Sequence, residues 1–271
     1  MRLLNRASRS GRTRALERGG TALVTGASAG IGAGFAEALA ARGLDLILVA
    51  RRKDRLDVLA QSLVVRAGVR VDVVAADLAT TGGLAEVVAL ARSRRVDVLI
   101  NNAGFGTHGT FTSQDADRET QEIALNCGAV VALAHAVVPS MTEQRRGAIV
   151  NVASTAAFQG VPYMAVYGAT KAFVLSFSSA LHAELAPRGV GVLALCPGVT
   201  ETEFFDVMRS SVRFGSSRSV EQVVATAIRG LERGRMVAID GPLNVASAAS
   251  SRLFPRPAVT AIAGILMRPR G

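Results

Sequence analysis

A doubly wound α/β fold, with a central parallel sheet of about seven strands flanked by helices on both faces, is predicted by three observations. Short β-branched apolar runs alternate with longer helical stretches from Thr21 onward. A glycine-rich turn joins the first of these runs directly to the first helix. No linker breaks the alternation, and 271 residues with 49% hydrophobic content are enough for one core. The chain then divides into a basic leader over 1–19, expected to be disordered, one α/β domain over 20–250, and an arginine-flanked apolar tail over 251–271.

Strands are expected at Ala22–Thr25, Asp45–Ala50, Arg70–Ala75, Val96–Ile100, Gly147–Val152, Val190–Leu195 and Met236–Ile239. Helices fill the gaps at Ile31–Arg42, Asp54–Arg66, Gly83–Arg92, Asp117–Gln144, Tyr163–Ala186 and Val220–Arg233. Right-handed crossovers wind such a pattern so that its ligand crevice lies beyond the carboxyl ends of the strands. The polar stretch Glu201–Ser219 follows a strand end and reads as a lid or substrate loop.

The formal charge of +10 points to nucleic acid or an anionic membrane until it is located. Residues 1–19 carry six arginines against Glu17, and 251–271 carry four with no acid, so net charges of +5 and +4 leave +1 for everything else. No basic stripe interleaved with aromatics crosses the body, which speaks against nucleic-acid binding. Cys127 and Cys196 stand alone, so neither a disulfide scaffold nor a metal site is expected. The leader lacks the apolar segment of a secretory signal and loosely resembles a transit peptide in its arginine and serine content. The apolar run Pro257–Met267 has 11 residues where a membrane span needs about 20. A cytoplasmic protein without a transmembrane span is expected, the tail packing on the core or, less simply, lying on a membrane surface or a neighbouring subunit.

After the first strand comes Gly26-Ala27-Ser28-Ala29-Gly30-Ile31-Gly32. Glycines let backbone turn sharply and approach a pyrophosphate, which rests on the free N–H groups at the helix N-terminus. The second strand ends at Ala50, where a site preferring NAD(H) carries an acid for the ribose hydroxyl, and Arg51 and Arg52 follow. Guanidinium forks in place of a carboxylate suit a 2′-phosphate, favouring NADP(H). Asp77-Leu78 after the third strand can hold an adenine, or Asp77 can cap a helix. Asn102-Ala103-Gly104 after the fourth allows close approach of a cofactor, and its amide can also tie strand ends together.

Tyr167 and Lys171, four apart on an expected helix, share one face. Each is scarce, since the chain has only two tyrosines and two lysines. A free phenol has a pKa of about 10, and bringing it to about 7 takes roughly 4 kcal/mol, which a neighbouring ammonium and an oxidised nicotinamide together can supply in a dry site. Ser154, after the fifth strand, can donate to a substrate oxygen. Asn126 sits mid-helix where no cap is expected and can distort the helix and hold a water. An apolar pocket is expected from Phe105, Gly106, Phe158, Val161, Met164, Phe204 and Phe205.

Over roughly Thr21–Ile239, these ordered motifs resemble the short-chain dehydrogenase/reductase family, whose members share a Rossmann-type fold. The resemblance implies an NAD(P)-dependent oxidoreductase interconverting a carbonyl and a secondary alcohol. Asn126, Ser154, Tyr167 and Lys171 correspond to its catalytic tetrad, with Lys171 also binding the nicotinamide ribose and a water chain near Asn126. Pro197, Gly198, Val199 and Thr202 correspond to the segment that positions the nicotinamide. A homodimer or homotetramer joined through the two long helices is also implied. Two alternatives remain open: a non-catalytic NADP(H)-binding regulator, and a ketoreductase of carrier-bound acyl chains.

Overall fold

The computed structural model describes residues 11–204, 208, 217–251 and 253–269. Strands β1 Thr21–Thr25, β2 Asp45–Ala50, β3 Val71–Ala75, β4 Val98–Asn101, β5 Gly147–Val152, β6 Val190–Cys196 and β7 Val237–Ile239 form one sheet. Their order is β3-β2-β1-β4-β5-β6-β7, and every neighbouring pair is parallel. Strand order reverses between β1 and β4, which opens a crevice at their carboxyl ends.

Alternate side chains of each strand feed opposite cores, as the strand period of two requires. From β1, Ala22 and Val24 pack beneath α2 (Gly30–Ala40), α3 (Lys53–Ala67) and α8 (Val220–Glu232). Leu23 points the other way, to the core under α4 (Thr81–Ser93), α6 (Val130–Glu143) and α7 (Ala165–Leu185). Gly32 on α2 lies so close to β1 that a Cβ there would stand 2.3 Å from the Gly26 carbonyl oxygen, so no larger residue lets the helix start this near the strand.

Three regions depart from the expectations. Residues 11–19, placed in a disordered leader, are built into the fold: a short helix, α1, spans 11–15 and buries Arg12, Ala15 and Leu16, the latter two joining the main core. Basic composition concealed the apolar pair; residues 1–10 lie outside the described residues. The tail carries two helices, α9 (Pro242–Ser250) and α10 (Arg256–Met267), both opened by a proline in the first turn. The helix expected over Asp117–Gln144 is α5 (Ala116–Ile123) and α6 joined by a π-helical segment, Ala124–Ala129, that contains Asn126. By length and composition alone the run Ala116–Glu143 would cross a membrane, but Leu133, Val137 and Met141 on it belong to the core against the sheet.

Glu122, on the last turn of α5, is fully buried. One carboxyl oxygen accepts a 3.0 Å hydrogen bond from Thr107 Oγ1, and the other has no partner among the described residues. Burial pushes its pKa from the usual 4.5 up to about 7, against the pull of the Thr107 bond. A carboxyl raised in this way is favoured in its protonated form by the folded state. Its contribution to stability is therefore complete below pH 4.5 and lost as pH rises through about 7. Glu122→Gln removes this dependence while keeping an acceptor for Thr107. Between pH 5 and pH 8.5, urea unfolding of the parent protein relative to this variant is expected to lose on the order of 3 kcal/mol; a pH-independent difference would contradict the buried ionisation.

Candidate active site

The crevice between β1 and β4 is a cleft of about 550 Å³. At one end the turn after β1 is built from left-handed glycines, Gly26 at φ +67° and Gly30 at φ +55°. A Cβ on Gly26 would lie 2.7 Å from Asn102 Nδ2 and one on Gly30 2.8 Å from the Thr202 methyl, so the backbone itself is the wall here. Asn102 fixes that wall by donating to the carbonyls of Thr25 (3.0 Å) and Gly26 (3.2 Å), and Thr25 Oγ1 accepts from the Asn102 and Ala103 amides. The amide thus ties β4 to β1, one of the two roles its position suggested.

Farther along the cleft, Arg52 donates through Nε (3.3 Å) and Nη2 (3.1 Å) to Ser28 Oγ. Its remaining nitrogen, Nη1, is 2.8 Å from Glu203, which also receives Arg55 at 2.6 Å. Hydrogen bonds from Arg55 and Arg52 hold Glu203 at about 2, ionised at any ordinary pH. Arg51 also lines the cleft, but its guanidinium is well exposed and turned to Asp77 at 3.9 Å. Asp77 accepts from the Ala79 amide, whereas Thr80 caps α4, so Asp77 is a turn residue rather than the helix cap. Leu78, Ile31, Ala103, Gly104, Pro197, Gly198, Val199 and Thr202 all face the cleft.

At the other end, Tyr167 and Lys171 project from the buried side of α7. Ser154 caps the short turn after β5 by accepting from the Ala156 amide at 3.1 Å, and its hydroxyl is close enough to Tyr167 to pull the phenol's pKa down. Lys171 Nζ donates to the Val152 carbonyl at 2.8 Å and lies 5.7 Å from the centre of the Tyr167 ring. Burial pushes the phenol up to about 12, opposed by Ser154 and reinforced by Glu122 and Cys196. The ammonium falls to about 8 for the same reason, opposed by Cys127, Glu122 and Cys196. The expected lowering draws on the lysine and an oxidised nicotinamide together; with the residues of this chain alone, desolvation dominates.

Asn126 is almost wholly buried and does not aim its side chain at free space. Its amide donates to the Phe105 carbonyl (2.9 Å) and Thr170 Oγ1 (3.0 Å), and its oxygen accepts from the Phe105 amide (3.2 Å). Both donors are used, so the residue clamps the loop after β4 to α7.

Above Tyr167, the apolar wall comprises Val161, Met164 and Phe204, backed by the buried Met208, with the Phe204 ring 5.4 Å from the tyrosine ring. Phe105 lines the cleft as expected, under the Arg118 guanidinium at 4.1 Å. Gly106 leaves room for the tyrosine: a Cβ there would stand 2.9 Å from its ring. Phe158 does not line the cleft; it packs against Val130, Ala153, Val174 and Cys196 behind β5. The turn after Ser154 rotates it away from the opening. Phe205 lies outside the described residues.

Sequence reading missed Glu203, Asn244, Ser247, Leu266 and Met267, which also line the cleft. The last two arrive because α10 folds back across its mouth, where the Met267 carbonyl is 2.8 Å from His108 Nε2. No local spacing signals such a return.

The cradle fits a dinucleotide: only glycine fits the turn, and uncapped helix N–H groups follow it. Residues 20–213 match the family model described as short chain dehydrogenase. A short-chain dehydrogenase from Sphingobium yanoikuyae, solved in complex with NADPH, shares 40% identity at a TM-score of 0.81, covering 93% of this chain and 96% of that one. A bulky-bulky ketone specific alcohol dehydrogenase from Comamonas testosteroni shares 38% at a TM-score of 0.77, covering 93% and 95%. Among curated proteins, hydroxysteroid dehydrogenase-like protein 1 of Gallus gallus is 35% identical over 78% of this chain and 65% of its own length. Its human counterpart, described as inactive, is 34% identical over 65% and 54%. The chain thus spans just under two thirds of the first of these relatives and about half of the second. It belongs to the short-chain dehydrogenase/reductase family, NAD(P)-dependent oxidoreductases acting on alcohols and carbonyls.

Proposed function

We propose that the chain is an NADP(H)-dependent reductase of bulky, apolar ketones, with Tyr167 as the proton donor. The observation that carries this reading is the convergence of Ser154, Tyr167 and Lys171 with the glycine turn and Arg52 in one cleft. When bound along the glycine turn, NADPH would supply the hydride that reduces the carbonyl. Ser154 donates to the carbonyl oxygen and steadies its developing charge. Tyr167 passes its hydroxyl proton to that oxygen, completing the alcohol, and regains a proton along the side of α7 where Lys171 lies. Because burial holds the phenol protonated through neutral pH, the acid role needs no prior ionisation. Lys171, charged below about pH 8, stabilises the phenolate left behind.

Arg52 with Ser28 is assigned the 2′-phosphate, Arg51 a peripheral part in the same field. Glu203 holds one Arg52 nitrogen and must yield or share it when a dianion arrives. An apolar wall of Val161, Met164 and Phe204, closed by Met267, favours a hydrophobic substrate over a sugar. The specificity of the Comamonas protein for bulky ketones agrees with that wall. Assembly through the long helices is assigned to α5–α6 and α7, where Ile123 and Phe173 are exposed.

A non-catalytic cofactor-binding role draws on the human relative described as inactive, but Ser154, Tyr167 and Lys171 all face the cleft here. Reduction of acyl thioesters draws on very-long-chain 3-oxoacyl-CoA reductases, such as that of Bos taurus at 32% identity. A panel of bulky ketones, sugars and 3-oxoacyl thioesters, followed by NADPH oxidation, separates the three readings.

Tyr167→Phe is expected to lower kcat by about 10²- to 10⁴-fold while NADPH binding stays within about threefold. Turnover that survives this change would remove Tyr167 as the donor. Arg52→Ala is expected to weaken NADPH by roughly 10- to 100-fold and NADH by less than about threefold, the difference expected of a charge-assisted contact to phosphate. Equal losses by calorimetry would defeat the assignment. Glu203→Gln should tighten NADPH by a few fold and leave NADH unchanged, since it removes only a competitor for Arg52.

A further inference from the structure

Helix α10 is apolar on opposite sides. One side, with Thr260, Ala263, Gly264 and Met267, faces the protein: Ala263 is buried, a Cβ on Gly264 would lie 3.2 Å from Pro162, and one on Gly160 would lie 3.0 Å from Thr260. The other presents Ile262 at 59% exposure, Ile265 at 76% and Leu266 at 62%. Helices apolar all round belong in an apolar environment, and this one has only half of it. The patch continues through Leu253 at 81% and Phe254 at 62%, just ahead of the helix, and Leu243 on α9 at 75%. Half of the fourteen large apolar side chains exposed on the described surface lie in residues 243–266. Such clustering marks an interaction surface.

The charge around the patch selects the occupant. No acidic residue follows Asp240 in the chain, whereas Arg252, Arg256, Arg268 and Arg270 do. Arg256 and Arg268, both exposed, bracket a helix about 18 Å long. A second copy docked symmetrically on α10 would bring the Arg256 end of one helix against the Arg268 end of the other, with no carboxylate from either tail between them. An anionic bilayer supplies both the apolar depth for Ile262, Ile265 and Leu253 and the negative charge for the arginines.

We infer that α10 and the turn before it form a docking surface for an anionic membrane, lying in the interface plane without spanning it. Docking rests on this surface alone. A consequence rests on the proposed reduction of apolar ketones as well: Leu266 and Met267 line the cleft, so its mouth opens beside the bilayer and a lipid-dissolved substrate enters without crossing water.

Sedimentation of the full chain with vesicles tests the docking without any turnover. With phosphatidylcholine containing about 30% phosphatidylglycerol, most of the protein is expected in the pellet at low salt, and little with phosphatidylcholine alone. Ile262→Glu with Ile265→Glu, neither of which lines the cleft, should abolish pelleting and leave turnover of a water-soluble ketone unchanged. Arg256→Ser with Arg268→Ser, milder changes, should lower partition onto the anionic vesicles by about 10- to 30-fold. The proposal is overturned by protein that stays in the supernatant with both vesicles, by equal binding to both, or by glutamate variants whose only effect is to split an oligomer in light scattering. Loss of ketone turnover in the parent chain with pelleting intact would count against the reductase reading alone.

Discussion

Everything in the site depends on keeping a phenol and an ammonium together out of water. Tyr167 and Lys171 are both buried, and burial drives their protonation equilibria in opposite directions, each toward its neutral form. Such a pair survives only where nearby groups hold its polar atoms. Val152 accepts from the ammonium, Ser154 stands beside the phenol, and both come from the carboxyl end of β5 or the residues just beyond it. Gly104 and Gly106 on the neighbouring loop provide the space: a Cβ on the first would approach Asn126 and Lys171, and one on the second the tyrosine ring.

The sheet makes this possible because its carboxyl ends gather groups from distant parts of the chain. Asn101 donates to Asn151 across β4 and β5 at 2.8 Å, and Asn151 donates to Ser178 on α7 at 2.9 Å. This buried amide chain locks the helix bearing Tyr167 to the strands bearing the cofactor cradle. Asn126 does the same from the π-helical segment, whose irregular turn is the local cost of reaching both Phe105 and Thr170. Polar groups buried this deeply stabilise only when fully bonded, so the network also fixes geometry.

What was legible in the sequence was what short spacing encodes. A glycine turn between strand and helix, a tyrosine one helical turn before a lysine, and a serine at a strand end each follow from local geometry, and all three face one cleft. Asn126 was legible as an anomaly, a poor helix former in mid-helix, though its partners were not. Long-range returns were illegible: Glu203 reaches Arg52 across 151 residues, and Met267 meets His108 across 159. Phe158 misled because aromatic character alone does not say which way a short turn rotates it. Desolvation was also illegible, since a phenol's burial depends on Met164, Phe204 and Met208 arriving from elsewhere.

The chain has only two tyrosines, so tyrosine labelled at Cζ gives two carbon resonances that can be followed through a pH titration. The account predicts one that ionises near pH 12 in the free protein, vanishes with Tyr167→Phe, and shifts downward by several units when NADP⁺ is added. A Tyr167 resonance that ionises near the ordinary value of about 10 and ignores NADP⁺ would contradict it.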